Sequence, residues 1–143
     1  MAKLTFEDVQ VGAEIPSYTR KCTLMELNRF AGANEEFVPI HMDRDYSKNV
    51  AGLPDAIVMG YLKFAYLGSM LTNWIGEDGD IRKISVSYRA MDPVDYTLTA
   101  RGKVTGKQQK DGQGLIECEV WVENQEGIRT TPGTAVVALP RKG

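Results

Sequence analysis

The chain has 143 residues, a length typical of a single domain with one hydrophobic core. Hydrophobic residues make up 43% of the sequence and charged residues 25%, proportions that are ordinary for a globular protein. The formal net charge of −2 provides no basic surplus, which argues against a nucleic-acid partner.

Two cysteines and one histidine limit the metal chemistry that the chain could support. Cys22 and Cys118 lie far apart in the sequence, and His41 alone cannot complete a Cys/His ligand set, so we expect no metal site. The N-terminal stretch "MAKLTFEDVQVG" lacks the apolar run of a secretory signal. We therefore expect free thiols in a reducing, cytoplasmic setting.

The first half of the chain predicts two helices and a loop. In "CTLMELNRFAGAN", Thr23 and Glu26 form the pattern of a capping box at the start of a helix, and Gly32 suits its end. A loop through Pro39 follows. The polar stretch "DRDYSKNVAG" then predicts one or two helical turns at the surface, with Asp43 as the N-cap.

Residues 57–75 predict one long apolar helix. The segment "IVMGYLKFAYLGSMLTNWI" carries a single charge, Lys63, and is apolar on nearly every side, so the fold must wrap around it or it must cross a membrane. A charge in mid-segment, with Thr72 and Asn73 near the end, favours a helix wrapped by the fold. We expect its aromatic residues, including Tyr61 and Phe64, to lie in the core.

After this helix the hydrophobic pattern changes to the period of two that is typical of strands. A weaker strand at 14–22, with Pro16, suits a sheet edge. A long buried helix followed by antiparallel strands requires the sheet to curl around the helix, which describes an α+β hot-dog fold over a single domain, residues 1–143. We expect a dimer with one continuous sheet. The alternating segments are residues 84–88, 96–104 and 116–122, and a last strand at 135–139 is apolar on both faces, which predicts an interior position in the sheet.

The stretch "RFAGANEEFVPIHMDRDYSKNVAGLPDAIVMGYLKFAYLG" resembles the signature of the MaoC-like dehydratases, the (R)-specific enoyl thioester hydratases. That signature reads approximately Tyr-Ala-Gly-x-x-Gly-Asp-x-Asn-Pro-Ile-His, then Ala-Gly-Leu-Pro, then Ala-His-Gly-Met. The segment "LTNWIG" and the chain length are also similar to the small subunits of two-subunit hydroxyacyl-carrier-protein dehydratases. The positions kept in register are Ala31, Gly32, Pro39, Ile40, His41, Ala51, Gly52, Leu53, Pro54, Ile57 and Gly60.

The resemblance implies a catalytic pair and a backbone donor. His41 matches the family histidine, whereas Glu36 stands where the family has aspartate, one methylene shorter. Gly60 is the implied backbone N–H donor to a developing enolate oxygen, because helix N-termini favour negative charge. Taken from the residues alone, His41 has a second interpretation as a packed structural histidine, and Gly60 as a helix-packing residue.

Three further departures from the signature surround this pair. Val38 replaces the family asparagine, and Met59 replaces the histidine before the helix glycine, so the pocket becomes more apolar. Glu35 replaces a small residue next to the acid, and either Glu35 or Glu36 could point inward.

By resemblance, the expected activity is hydration of trans-2-enoyl thioesters, or dehydration of (R)-3-hydroxyacyl thioesters, by an acid/base pair acting on a water. The expected substrate is an acyl-CoA or acyl-ACP thioester, with no metal or redox cofactor, in a homodimer or a heterodimer with a related subunit. Two alternatives remain open. One is a non-catalytic subunit that binds acyl chains or stabilises an active partner, and the other is a hot-dog acyl-CoA thioesterase.

Overall fold

The computed structural model describes residues 3–143; Met1 and Ala2, which the predicted domain 1–143 includes, lie outside the described residues. A short 3-10 turn, Phe6–Asp8, precedes the first strand, and a second, Pro39–His41, follows the first helix. The described α-helices are α1 (Leu24–Asn34), α2 (Arg44–Asn49) and α3 (Gly60–Ile75). The strands are β1 (Glu14–Lys21), β2 (Asp80–Val86), β3 (Thr97–Lys110), β4 (Gln113–Glu123) and β5 (Arg129–Leu139).

The strands form one antiparallel sheet in the order β1-β3-β4-β5-β2. The two-sided apolar segment 135–139 lies in β5, between β4 and β2, which confirms its expected interior position. Strand β1 is an edge strand, and its pairing with β3 is irregular between Ile15 and Tyr18, around Pro16. The prediction that Pro16 lies on an edge is therefore confirmed, because an edge strand tolerates a missing N–H.

Helix α3 packs against the sheet and forms the centre of the core. Alternate side chains of β3 and β4 point toward it, because successive residues of a strand face opposite sides. Burying each large aliphatic side chain contributes about 1.5–3 kcal/mol. The innermost residues are Leu67, Met70 and Leu71 of α3 with Leu98, Ala100, Val104, Ile116, Val120 and Val122 of the sheet.

Helix α1 begins as expected but ends later. The hydroxyl of Thr23 accepts a hydrogen bond from the Glu26 N–H at 3.2 Å, which confirms Thr23 as the cap. The reciprocal half of the predicted capping box does not form, because the Glu26 carboxylate accepts from Arg20 and from the Tyr66 hydroxyl. The predicted end at Gly32 is wrong, since the helix continues through Asn34. It ends at Glu35, whose φ of 54° is left-handed, a conformation that glycine adopts more readily.

Helix α3 is shorter than the predicted 57–75. Residues 57–59 are extended, because Ile57 forms a β-bridge with Pro93 and the Val58 N–H donates to the Asp92 carbonyl at 2.8 Å. The remaining 16 residues span about 24 Å at about 1.5 Å per residue. Within residues 3–143, no helix is long and apolar enough to cross a bilayer.

One face of α3 remains open. Tyr61 is 59% exposed and Phe64 is 36% exposed, so the expectation that both lie in the core is wrong. They lie on the side of the helix away from the sheet, which leaves an aromatic surface close to the start of α3.

Candidate active site

His41 lies at the end of the Pro39–His41 turn and is half-buried. Its Nδ1 is 2.7 Å from the carbonyl oxygen of Ile57. A carbonyl oxygen only accepts hydrogen bonds, so Nδ1 carries the proton. The neutral ring then has its lone pair on Nε2, which is the state that a general base requires.

The backbone around His41 is held from two directions. The Ile57 N–H donates to the Ile40 carbonyl at 2.8 Å, which joins the histidine turn to the residues before α3. The Ser47 hydroxyl donates to the same carbonyl at 3.1 Å, from α2. Asp43 caps α2 by accepting from the Tyr46 N–H at 2.9 Å, which confirms the predicted cap. The short helix therefore acts as a support for the histidine turn.

Glu36 is tied to the start of α3 through a residue that the sequence did not single out. The Nδ2 of Asn34 donates to Glu36 Oε2 at 3.3 Å and lies 3.8 Å from the sulfur of Met59. Glu36 is half-buried, whereas Glu35 is exposed and occupies the left-handed helix end. Of the two glutamates, Glu36 is the one in contact with Asn34, which in turn reaches the residue before Gly60.

The first turn of α3 presents backbone donors. Its N-cap, Met59, is buried and provides no side-chain acceptor. Among residues 3–143, no acceptor is found for the N–H of Gly60 or of Tyr61. Because the helix dipole concentrates positive potential at this end, these amides can stabilise an anionic oxygen.

Gly60 also has a packing reason to lack a side chain. A Cβ built on it would lie 3.0 Å from Cε1 and Cζ of Tyr88. The ring of Tyr88 therefore covers the glycine, and both interpretations of Gly60, as packing residue and as close-approach donor, fit the same geometry.

Val38 contributes to the site through its backbone. Its carbonyl accepts the N–H of His41 at 3.0 Å, and its side chain is 41% exposed. The sequence predicted that Val38 makes the pocket more apolar, and the structure places its isopropyl group partly in contact with solvent.

Segment 56–60 brings the predicted residues together. Ile57 holds His41, Met59 contacts Asn34 and through it Glu36, and Gly60 begins the helix. An imidazole with an accepting nitrogen, a carboxylate and open amide donors can together move protons and stabilise an oxyanion. A cavity of about 510 Å³ lies at the other end of α3, where residues 3–4 and 73–78 line it. None of the predicted site residues lines this cavity.

The cysteines are not candidates for nucleophiles. Cys22 and Cys118 are free and buried, and desolvation raises the pKa of each thiol to about 12, which keeps both protonated at neutral pH. Within the described part of the chain, no cluster of three or more His, Cys, Asp or Glu side chains could hold a metal ion.

Solved structures share this architecture. The unliganded R-hydratase PhaJ1 from Pseudomonas aeruginosa superposes with a TM-score of 0.88 at 19% identity, over 98% of this chain and 88% of that chain. The (R)-hydratase from A. caviae involved in PHA biosynthesis gives a TM-score of 0.84 at 24% identity, over 94% of this chain and 99% of that chain. These likenesses establish the hot-dog fold that the sequence predicted.

A third similar structure is a complex. The ChsH1-ChsH2 complex from Mycobacterium tuberculosis matches with a TM-score of 0.79 at 25% identity, over 91% of this chain and 98% of that chain. A comparison with curated proteins finds no match. Residues 8–127 match the family model of the MaoC-like domain, which covers most of the chain and includes every predicted site residue. The chain therefore belongs to the MaoC-like dehydratase family.

Proposed function

We propose that this chain hydrates trans-2-enoyl thioesters, or in the reverse direction dehydrates (R)-3-hydroxyacyl thioesters, with His41, Glu36 and Gly60 as its working groups. The observation that carries the proposal is the bond from His41 Nδ1 to the Ile57 carbonyl. This bond orients the ring and leaves Nε2 as a proton acceptor, while Asn34 links Glu36 to Met59, the residue before the open N-terminus of α3.

The reaction distributes three tasks among these groups. His41 Nε2 takes a proton from a water whose oxygen bonds to C3 of the enoyl group, and Glu36, entering the cycle in its carboxylic-acid form, delivers its proton to C2. The amide of Gly60 donates to the thioester oxygen, where negative charge develops in the enolate. The proton gained by His41 then returns to Glu36 through solvent, so both groups are restored.

The carrier is coenzyme A or acyl carrier protein, and the chain works in a cytoplasmic setting with a second hot-dog subunit, identical or related. Two features support a partner: β2 forms an edge of the sheet, and Tyr61, Phe64 and Tyr88 expose aromatic surface near the site. The altered motif, and the likeness to a two-component complex, support a second candidate, in which this chain binds acyl groups for a catalytic partner.

The test is the loss of enoyl absorbance when the purified protein meets crotonyl-CoA or a longer trans-2-enoyl-CoA. The variant His41→Asn retains an N–H where Nδ1 donates to Ile57 but removes the base, so we expect turnover to fall at least about a hundredfold with an unchanged fold. Lys48→Ala, an exposed change on α2, is the control and should keep full activity. Full activity in His41→Asn would remove the histidine from the mechanism.

The second candidate makes a different prediction in the same assay. The purified chain alone would be inactive, but it would co-purify with a homologue that carries an intact Asp-x-Asn-Pro-Ile-His motif, and the complex would hydrate the substrate. In that complex, His41→Asn on this chain would leave turnover unchanged.

A further inference from the structure

A buried ion pair lies behind the start of α3. Lys63, in the first turn, is only 2% exposed, and its Nζ is 3.1 Å from Oδ2 of Asp92, whose side chain is fully buried. The same ammonium donates to the carbonyl of Ala90 at 3.2 Å. Within the proposed mechanism neither charged group has a task.

Asp92 joins three parts of the fold. Its carboxylate also accepts from the Thr130 hydroxyl at the start of β5 and from Asn124 Nδ2, after β4, at 3.3 Å. Three donors, Lys63, Asn124 and Thr130, therefore converge on one carboxylate that has no contact with solvent. The network connects helix α3 to the β4–β5 end of the sheet.

Asp92 holds the polypeptide on both sides of Gly60. Its backbone carbonyl accepts the N–H of Val58 at 2.8 Å, two residues before the glycine. Its side chain holds Lys63, three residues after the glycine. The adjoining Val94 N–H donates to Ala56 at 2.7 Å, which extends the same pairing.

Stability alone is a poor explanation for this pair. A buried ion pair loses hydration on both charges, and well-packed apolar residues often stabilise a fold equally well. A cation in the first turn of a helix also opposes the helix dipole. The position of Lys63 therefore indicates that the pair contributes by fixing the geometry of the backbone around it.

We propose that Lys63 and Asp92 are a positioning pair that fixes the amide of Gly60 relative to Ile57, the residue that orients His41. This inference rests on the proposed function, because it assigns the pair to the placement of the oxyanion donor. Neither residue contacts the substrate.

The test is the double variant Lys63→Met/Asp92→Asn, which removes both charges while the new amide oxygen still accepts from Thr130. We expect the unfolding midpoint to be retained, kcat to fall at least about tenfold, and KM to stay within about twofold, because a displacement of under about 1 Å weakens transition-state contacts first. Hydrogen exchange at the Val58 amide, which donates to the Asp92 carbonyl, should accelerate by about tenfold. The matched control is Lys3→Met/Asp78→Asn, which removes an exposed pair beyond the other end of α3 and should change none of these quantities.

A double variant with wild-type kcat and wild-type exchange at Val58 would overturn the proposal and leave the pair a structural role. If the double variant does not fold, Thr130→Val loses one donor to Asp92 with little change in volume. Faster exchange at Val58 with lower kcat then supports positioning, and unchanged values overturn it. If the wild-type protein hydrates no enoyl thioester, the proposed function fails, while the exchange measurement still decides whether the pair holds the backbone that leads into Gly60.

Discussion

Replacing Gly60 with alanine places a methyl group against the ring of Tyr88. The added Cβ would lie 3.0 Å from Cε1 and Cζ and 3.2 Å from Cδ1 of that ring. Carbon atoms prefer separations of about 3.5–4.0 Å, so the ring must retreat by about half an ångström or more. Tyr88 is 48% exposed and can move, which puts the overpacking penalty at the low end of about 1–3 kcal/mol.

The stability and activity of Gly60→Ala should respond differently. Alanine gains up to about 1 kcal/mol of helix propensity over glycine, so we expect a net stability loss of no more than about 1 kcal/mol in urea unfolding. Relieving the clash with Tyr88 moves the first turn of α3, and a small shift of the amide donor should lower kcat/KM by about ten- to a hundredfold. The readout is the same enoyl absorbance assay.

Gly68 provides the control for this prediction. It lies in the same helix, and a Cβ there meets nothing within 4 Å. Gly68→Ala should therefore keep full activity and gain up to about 1 kcal/mol of stability. If Gly60→Ala retained wild-type activity while folding normally, the placement of the oxyanion donor at this glycine would be refuted.

Three further predictions concern carboxylates. Glu36→Asp shortens the side chain that contacts Asn34, so we expect at least about a tenfold loss of turnover in the hydration assay, and equal or higher activity would show that the longer side chain is only tolerated. Glu35→Gly relieves a left-handed φ of 54° and should raise the unfolding free energy by roughly 0.5–1 kcal/mol in urea, whereas a decrease would reveal a contribution from the side chain. The hydrogen bond from Arg141 lowers the pKa of Glu7 from 4.5 to about 2. Because this pKa is depressed in the folded state, the ionised carboxylate stabilises the fold above about pH 4.5, and this stabilisation is lost as the pH falls toward 2. Glu7→Gln should therefore flatten that part of a curve of unfolding free energy against pH.

The boundaries of two helices show what local patterns predict poorly. The sequence predicted the end of α1 at Gly32, but the helix continues to Asn34. Glu35 then adopts the left-handed conformation that ends the helix. Residues 57–59 looked helical because they are apolar, yet pairing with the 92–94 segment keeps them extended. In both cases a contact from elsewhere in the chain outweighed the propensity of the local residues.

The motif residues of the candidate site were predictable from the sequence, but the residues that hold them in place were not. The spacing of Glu36, His41 and Gly60 followed from the resemblance to the family signature. Asn34 was not predictable, because its amide reaches Glu36 and Met59 only once α1 packs near the start of α3. The protonated nitrogen of His41 likewise depends on the carbonyl of Ile57, which the sequence places sixteen residues away.

The sequence by itself determined the order and type of the elements, since the periods of 3.6 and 2.0 and the capping residues are local properties. It also determined the motif residues that we propose to carry the chemistry. From the sequence, the single charge of Lys63 in an apolar helix indicated only that the helix does not cross a membrane. The tertiary structure decided where the Lys63 side chain lies. Its partner, Asp92, is 29 residues away, and a buried charge becomes tolerable only when the fold brings its counter-charge to it.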